Sequence, residues 1–268
     1  MPNPIEILVD PINLGLFAAI AALMLWETLR PARRLPRVRG WKLRTALAFG
    51  AYFLLSSYLP LIWDAHLAQY QFVDLTGLGT AGGAVAGLLI YEAAAYLWHR
   101  AMHASDTLWR VFHQMHHSAE RLDTWSAFWF SPADMVGWTL LGSLSLSLVL
   151  VVGIAPAAAT VVLLSITLLA VLQHANVRTP RWLGLVVQRP EAHRLHHGRG
   201  IHAYNYSDLP LIDMLFGSWR NPADFDAPTG FWHGASTRLA DMLRARDVAR
   251  DPVGEAAGAL VPVGYADQ

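Results

Sequence analysis

Eight of the twelve histidines in this 268-residue chain fall in three five-residue windows, 99–103, 113–117 and 193–197. Random placement would put about 0.7 of them there, so coincidence is a poor account of the pattern. His99 and His103 stand four apart. His113, His116 and His117 stand at i, i+3 and i+4, and His193, His196 and His197 repeat that spacing. On a helix, residues so spaced share one face, one turn apart. Imidazoles packed together need a metal or protonation control to offset their desolvation, and neutral imidazole is the commonest protein metal ligand. Eight ring nitrogens exceed the four ligands of a structural zinc and the three of a catalytic one, so two metal ions are the economical count. Imidazole suits iron, copper, zinc and nickel, and the spacing does not choose among them.

Other polar residues join this set by position. His174 closes a long apolar stretch and is a ninth candidate ligand. Glu92 precedes His99 by seven residues, two helical turns, and so faces the same way. A carboxylate inside an apolar span is costly and has a partner, which reads here as a ligand's ring N–H. His202 follows the third window and is either a further ligand or a surface residue, while the isolated His66 and His233 read as solvated side chains. Cysteine is absent, which excludes disulfides, thiolate metal sites and cysteine-held clusters and leaves His, Asp and Glu to hold any metal.

The elements that position these residues are apolar. Hydrophobic residues make up 54% of the chain against 15% charged, too lopsided for an ordinary soluble globule. Residues 11–26, 45–63, 75–91 and 135–173 carry no charge. The first three each suit one span. The fourth, about 58 Å as helix, is nearly twice a hydrocarbon core of about 30 Å. Gly153-Ile154-Ala155-Pro156 breaks it into two spans, giving about five in an all-α, polytopic membrane protein with a helical cap.

With five spans all twenty Lys and Arg fall on one side, including the seven of the first connection from Arg30 to Arg44. That side is expected to be cytoplasmic, with the N-terminus outside, and eleven of the twelve histidines lie on it. Twenty acids cancel the twenty bases, so no global field recruits nucleic acid. The first ten residues hold no Lys or Arg and lack the basic flank of a cleavable signal. Residues 236–251 read as an amphipathic surface helix and 252–268 as a loose tail.

The order His99-Arg-Ala-Met-His103, His113-Gln-Met-His116-His117-Ser118, His174-Ala-Asn176, His193-Arg-Leu-His196-His197, then Asn205-Tyr206 through Asp213-Met-Leu-Phe-Gly-Ser-Trp219, resembles the fatty acid hydroxylase and sterol desaturase superfamily. The resemblance runs from about Tyr91 to Trp219. It implies a helical membrane enzyme with a histidine-rich di-iron centre on the cytoplasmic face, using O₂ and two electrons to attack an unactivated C–H bond of a lipid. On that reading the nine histidines 99, 103, 113, 116, 117, 174, 193, 196 and 197 are ligands, and Glu92, Asn176 and Asn205 complete the catalytic set. The outcome is an alcohol by hydroxylation or a double bond by desaturation.

The chain departs from the family pattern at Trp129-Phe130-Ser131-Pro132, where relatives often have Arg-x-His-Pro, and at Ser207, where they tend to have Gly. Ser should be tolerated at 207 unless its φ is positive. No dinucleotide fingerprint, cytochrome-like segment or cysteine cluster occurs, so electrons should come from a separate ferredoxin- or cytochrome b5-like donor. The expected organisation is N-terminal spans over 1–74, a catalytic region over 75–235 and the surface helix and tail beyond, in an inner bacterial membrane. A zinc hydrolase would want a His-Glu-x-x-His string, which is missing, and a metal transporter would place its ligands at mid-membrane.

Overall fold

The computed structural model describes residues 3–147 and 153–250. Four helices are long and apolar enough to cross a membrane: Pro11–Leu29 (α1), Trp41–Trp63 within Trp41–Leu67 (α2), Thr76–Ala104 with its regular part Gly79–Ala104 (α3), and Pro156–His174. Between 11 and 28% of each window is buried, and Leu47, Val85 and Leu97 point outward more than 60% exposed. Apolar helices that turn most of their surface outward are built for lipid. The chain is thus an all-helical, polytopic membrane protein, with no strand among the described residues.

Local chemistry sets the helix ends. Asp10 accepts from the Ile12 N–H at 2.9 Å and Pro11 opens α1, so a capping carboxylate and a preset φ coincide. Pro156 likewise opens the last long helix, though without a capping side chain. Ser131 caps Pro132–Gly142 (α4), accepting from the Asp134 N–H at 3.1 Å, and the helix continues through a π-helical turn to Ser147. Pro156–His174 is α5.

The fifth expected span falls on α4, which is too short to be counted with the other four; residues 148–152 lie outside the described residues. The expected break at Gly153 is there, and it is tied to the start of α3. The Gly153 N–H donates to the Val73 carbonyl, and its own carbonyl accepts from Leu75, both at 2.7 Å. A Cβ at Gly153 would meet the end of the flexible Gln71 side chain, which would have to swing aside. Farther along, Gly83 of α3 faces Ala158 of α5, where an added Cβ would come within 3.0 Å of the alanine methyl. Small residues let these two helices pack closely.

A cap of short helices and loops, residues 105–131 and 175–250, closes one end of the bundle. Its core joins Trp41 and Ala48 of α2 to Met115, Trp129, Phe231, Met242 and Val248. Trp41 Nε1 also donates to Asp123 Oδ1 at 3.1 Å. The N-terminal spans and the C-terminal segment therefore pack directly on the histidine-bearing part. Over the described residues 236–250 the expected helix is replaced by two short turns, Ala235–Thr237 and Leu239–Met242. Ala245 at φ 53 breaks it, and the Arg244 and Arg246 N–H groups both return to the Asp241 carbonyl. Met242 and Val248 bury themselves in the cap, so the apolar residues serve this core. The tail from 251 onward lies outside the described residues.

Candidate metal centre

The nine histidines converge at the junction of bundle and cap and divide into two sets. His99, His103, His113, His117 and His196 form one; His116, His174, His193 and His197 form the other, each with its ligand atoms within 4.8 Å of one another. Neighbours in sequence go to different sets. His113 and His117 stay together at i, i+4 while His116 crosses over, and His193 and His197 stay together while His196 crosses back. The second window lies on a helix over 106–117 with a π-helical turn at Trp109–His113. The third lies on Pro190–His196 (α6), held in place by the buried Arg189, whose guanidinium reaches the Thr179 carbonyl at 2.8 Å and Glu191 at 3.1 Å.

Ring orientation is imposed from behind. His99 Nδ1 donates to the Tyr206 carbonyl at 2.7 Å, His113 Nδ1 to Asp134 Oδ2 at 3.1 Å, His174 Nδ1 to the Ala170 carbonyl at 2.6 Å, and His196 Nδ1 to the Tyr204 carbonyl at 2.7 Å. A neutral imidazole has one N–H, so these bonds assign it to Nδ1 and leave a bare lone pair on Nε2. Burial pushes His113, His116, His117, His193, His196 and His197 well below the usual imidazole value, so these rings stand neutral.

The Nε2 atoms then face one another. His99 and His113 meet at 2.9 Å, and His116, His174, His193 and His197 form a chain of 3.1 Å separations, each Nε2 to Nε2. The Nε2 atoms of His103, His117 and His196 are buried with no hydrogen-bond partner. Bare lone pairs 2.9 Å apart repel unless a cation lies between them. Two nitrogens at right angles around a metal, with bonds of about 2.1 Å, are about 3.0 Å apart, which matches the observed edges. The donor set is all imidazole, and it fits two metal ions of the iron, copper, zinc and nickel group.

His202 belongs to neither set. Its Nδ1 lies 3.0 Å from His117 Nδ1, and its ring packs on Trp109 and Phe231. The isolated His66 and His233 are exposed.

The three residues expected beside the ligands in the catalytic set stand behind them instead. Glu92 does not receive a ligand's ring N–H. Its Oε2 accepts from the Asp208 and Leu209 N–H groups at 2.8 and 3.1 Å, because the loop after the third window crosses α3 there. Asn176 Nδ2 donates to the Arg33 carbonyl at 2.8 Å, tying the end of α5 to the α1–α2 connection. Asn205, in the left-handed region at φ 51, donates to the Ala192 carbonyl at 3.0 Å and accepts from the Arg220 N–H at 2.7 Å. Asn205 thereby aims the carbonyls on either side of it, those of Tyr204 and Tyr206, at His196 and His99. Asp213 completes the clamp by accepting from Tyr206, Ser207 and Ser218. Ser207 does not have a positive φ, and its hydroxyl also meets Asp213 at 2.8 Å, so serine fits where glycine was expected.

Asp134 is the functional residue that sequence reasoning missed. The signal was Ser131-Pro132-Ala133-Asp134, a helix N-cap followed three residues later by an acid. In the same departure from the family pattern, Phe130 lays its ring 4.9 Å from that of His116.

A cavity of about 390 Å³ ends on His99, His113, His116, His174 and His193. Phe49, Phe53, Phe128, Leu163 and Ile166 supply much of its apolar wall, with Leu16 of α1 also on it. From Thr160 to His174, both on the wall, α5 rises about 21 Å, much of a hydrocarbon core of about 30 Å. The space suits an extended chain whose one end reaches the imidazoles.

Comparison with known proteins agrees with this geometry. No solved structure matches the chain. Ornithine lipid hydroxylase OlsE of Rhizobium tropici is 34% identical over 144 residues, which is 52% of this chain and 42% of that protein, so the chain aligns with less than half of its relative's length. The fatty acid hydroxylase family model matches residues 84–218, half of the chain and the part that carries all nine clustered histidines. By that match, the chain belongs to the fatty acid hydroxylase family.

Proposed function

We propose that the protein is a membrane-bound lipid hydroxylase with a di-iron centre in the two histidine sets. The observation that carries the reading is the convergence of nine imidazoles in two sets, five of them on the wall of an apolar cavity. Two irons held there supply the reduction of O₂ that, with two electrons and two protons, puts one oxygen atom into a C–H bond and releases the other as water.

The protein's own residues do the rest. The carbonyls of Tyr204, Tyr206 and Ala170 and the Asp134 carboxylate hold four rings in the ligating tautomer, so these four need no rearrangement to receive a metal. Phe130 and Trp138 line the cavity at the histidine end and keep bulk water from the reacting carbon. The apolar wall holds the chain along the bundle, so one carbon is presented repeatedly and distant ones are not.

Electrons come from a separate donor, a ferredoxin- or cytochrome b5-like protein. The Arg-rich connection between α1 and α2 supports a cytoplasmic location for the cap and its histidines, with the N-terminus outside, in a bacterial inner membrane.

The test is metal content and Mössbauer spectrum of detergent-purified protein grown with iron-57, beside a variant with His116→Ala and His196→Ala, one from each set. Two non-haem irons per chain, lost in the variant, and lipids gaining one oxygen from labelled O₂ are the expected results. Zinc at full occupancy followed by failure to take up iron on reconstitution would overturn the assignment.

A further inference from the structure

Asp208 stands on the wall of the cavity that ends on the histidines. Its Oδ1 accepts from Gln173 Nε2 at 2.7 Å, and its backbone N–H donates to Glu92 Oε2 at 2.8 Å. Two carboxylates are thus brought together beside an apolar space. Among the described residues no Arg or Lys nitrogen lies within 4.0 Å of either. Glu92 is fully buried, and its second oxygen has no hydrogen-bond partner.

Tyr91 opens on the same cavity and presents its hydroxyl without a protein partner among the described residues. It is 7% exposed. Buried polar groups are ordinarily satisfied, and buried carboxylates ordinarily meet a cation. An ammonium meets the demands that open on the cavity. It carries a positive charge for Asp208 and three N–H donors to share among a carboxylate, the Gln173 carbonyl and a phenol oxygen.

We propose that Asp208, Gln173 and Tyr91 form a headgroup subsite that takes the ammonium of an amino-bearing lipid, whose apolar chain occupies the rest of the cavity. The assignment rests on the lipid hydroxylase reading and names its substrate class. Gln173 immediately precedes His174 on α5, so the charged end of the lipid docks beside the metal centre. The carbon presented for oxidation therefore lies close to the amine, and a lipid whose polar end is anionic is turned away by the same carboxylates.

The experiment compares dodecylammonium, dodecanol and dodecanoate as ligands of the detergent-purified full chain, read by the fluorescence of Trp138 and its fellow tryptophans. The order expected is ammonium tightest, by tenfold or more over the alcohol, about 1.4 kcal/mol, with the carboxylate weakest. Asp208→Asn removes the ammonium preference and leaves the alcohol unchanged, while Tyr91→Phe reduces the preference without abolishing it. Equal affinity for the amine and the alcohol in the unaltered protein overturns the proposal, and needs no variant to fold. Equal loss of both ligands in Asp208→Asn overturns it too, since that marks a structural role. Iron content measured on the same samples separates the two claims: iron without ammonium preference removes the subsite alone, and ammonium preference without iron removes the oxygenase reading alone.

Discussion

Asp134 is the sharpest test of the metal centre, because the carboxylate touches no metal and yet orients a ligand. It is fully buried, and its Oδ2 holds His113 Nδ1 at 3.1 Å. Replacing Asp134 with Ala leaves the His113 ring free to rotate and to carry its proton on Nε2, where a metal would bind. Outer partners of metal-ligating histidines are typically worth about 10- to 100-fold in metal affinity, or about 1.4–2.7 kcal/mol. The metal-free protein should respond differently. The lost hydrogen bond, about 1–3 kcal/mol, is opposed by no longer burying a carboxylate, a gain of comparable size. The variant should therefore melt close to the parent without metal and fall behind it once metal is added. Equilibrium competition against a chelator of known affinity gives the first quantity, and thermal unfolding with and without metal gives the second. Asp134→Asn keeps an acceptor oxygen and should fall between the two. Metal affinity within twofold of the parent in a folded Asp134→Ala protein refutes the orienting role, and collapse of the metal-free form shows that the residue serves the fold.

Three other outcomes follow from the same geometry. Ile166→Trp, which fills part of the apolar wall, should abolish lipid oxidation while two metals still bind; full activity would show that the substrate lies elsewhere. Asn205→Gly keeps the left-handed backbone but loses two buried hydrogen bonds, a loss of about 2–4 kcal/mol, and Asn205→Ala adds strain at φ 51, so denaturation midpoints should fall in the order parent, glycine, alanine. Burial raises the Asp208 carboxyl to about 7, with Glu92 and Asp213 its acidic neighbours, so it is neutral below that pH and anionic above it. Dodecylammonium should accordingly bind more tightly as pH rises through about 7, and the Asp208→Asn protein should show a flat profile; a falling profile in the parent would contradict the sign.

Eight of the nine histidines could be read from sequence because their signal is local: imidazoles at helical spacing share a face on any helix, and only His174 had to be reached through its place at the end of an apolar stretch. Their division into two sets could not, since it depends on how four helices from distant parts of the chain meet, and it sends the adjacent His116 and His117 to different sets. Asp134 escaped notice by standing one residue before an uncharged stretch that drew attention as a span. Glu92 was correctly seen as a carboxylate that must have partners, but its partners are backbone N–H groups of a loop whose path no periodicity records. The segment after Thr237 carries helix-spaced apolar residues, yet Met242 and Val248 are claimed by the cap core, and tertiary packing overrides local preference.

The N-terminal helices α1 and α2 lie outside residues 84–218, yet Leu16, Phe49, Tyr52 and Phe53 form a side of the cavity. On the proposed function, oxidising power and substrate selection would be encoded in separate stretches of the chain, the first in the histidine-bearing segment and the second partly in helices that hold no clustered histidine. Exchange of residues 1–67 between related hydroxylases becomes a way to retarget the enzyme: the transplanted helices would carry a new chain length or bulk preference to an unchanged metal centre. Such a division gives a family room to diversify its lipids without disturbing the chemistry that all its members share.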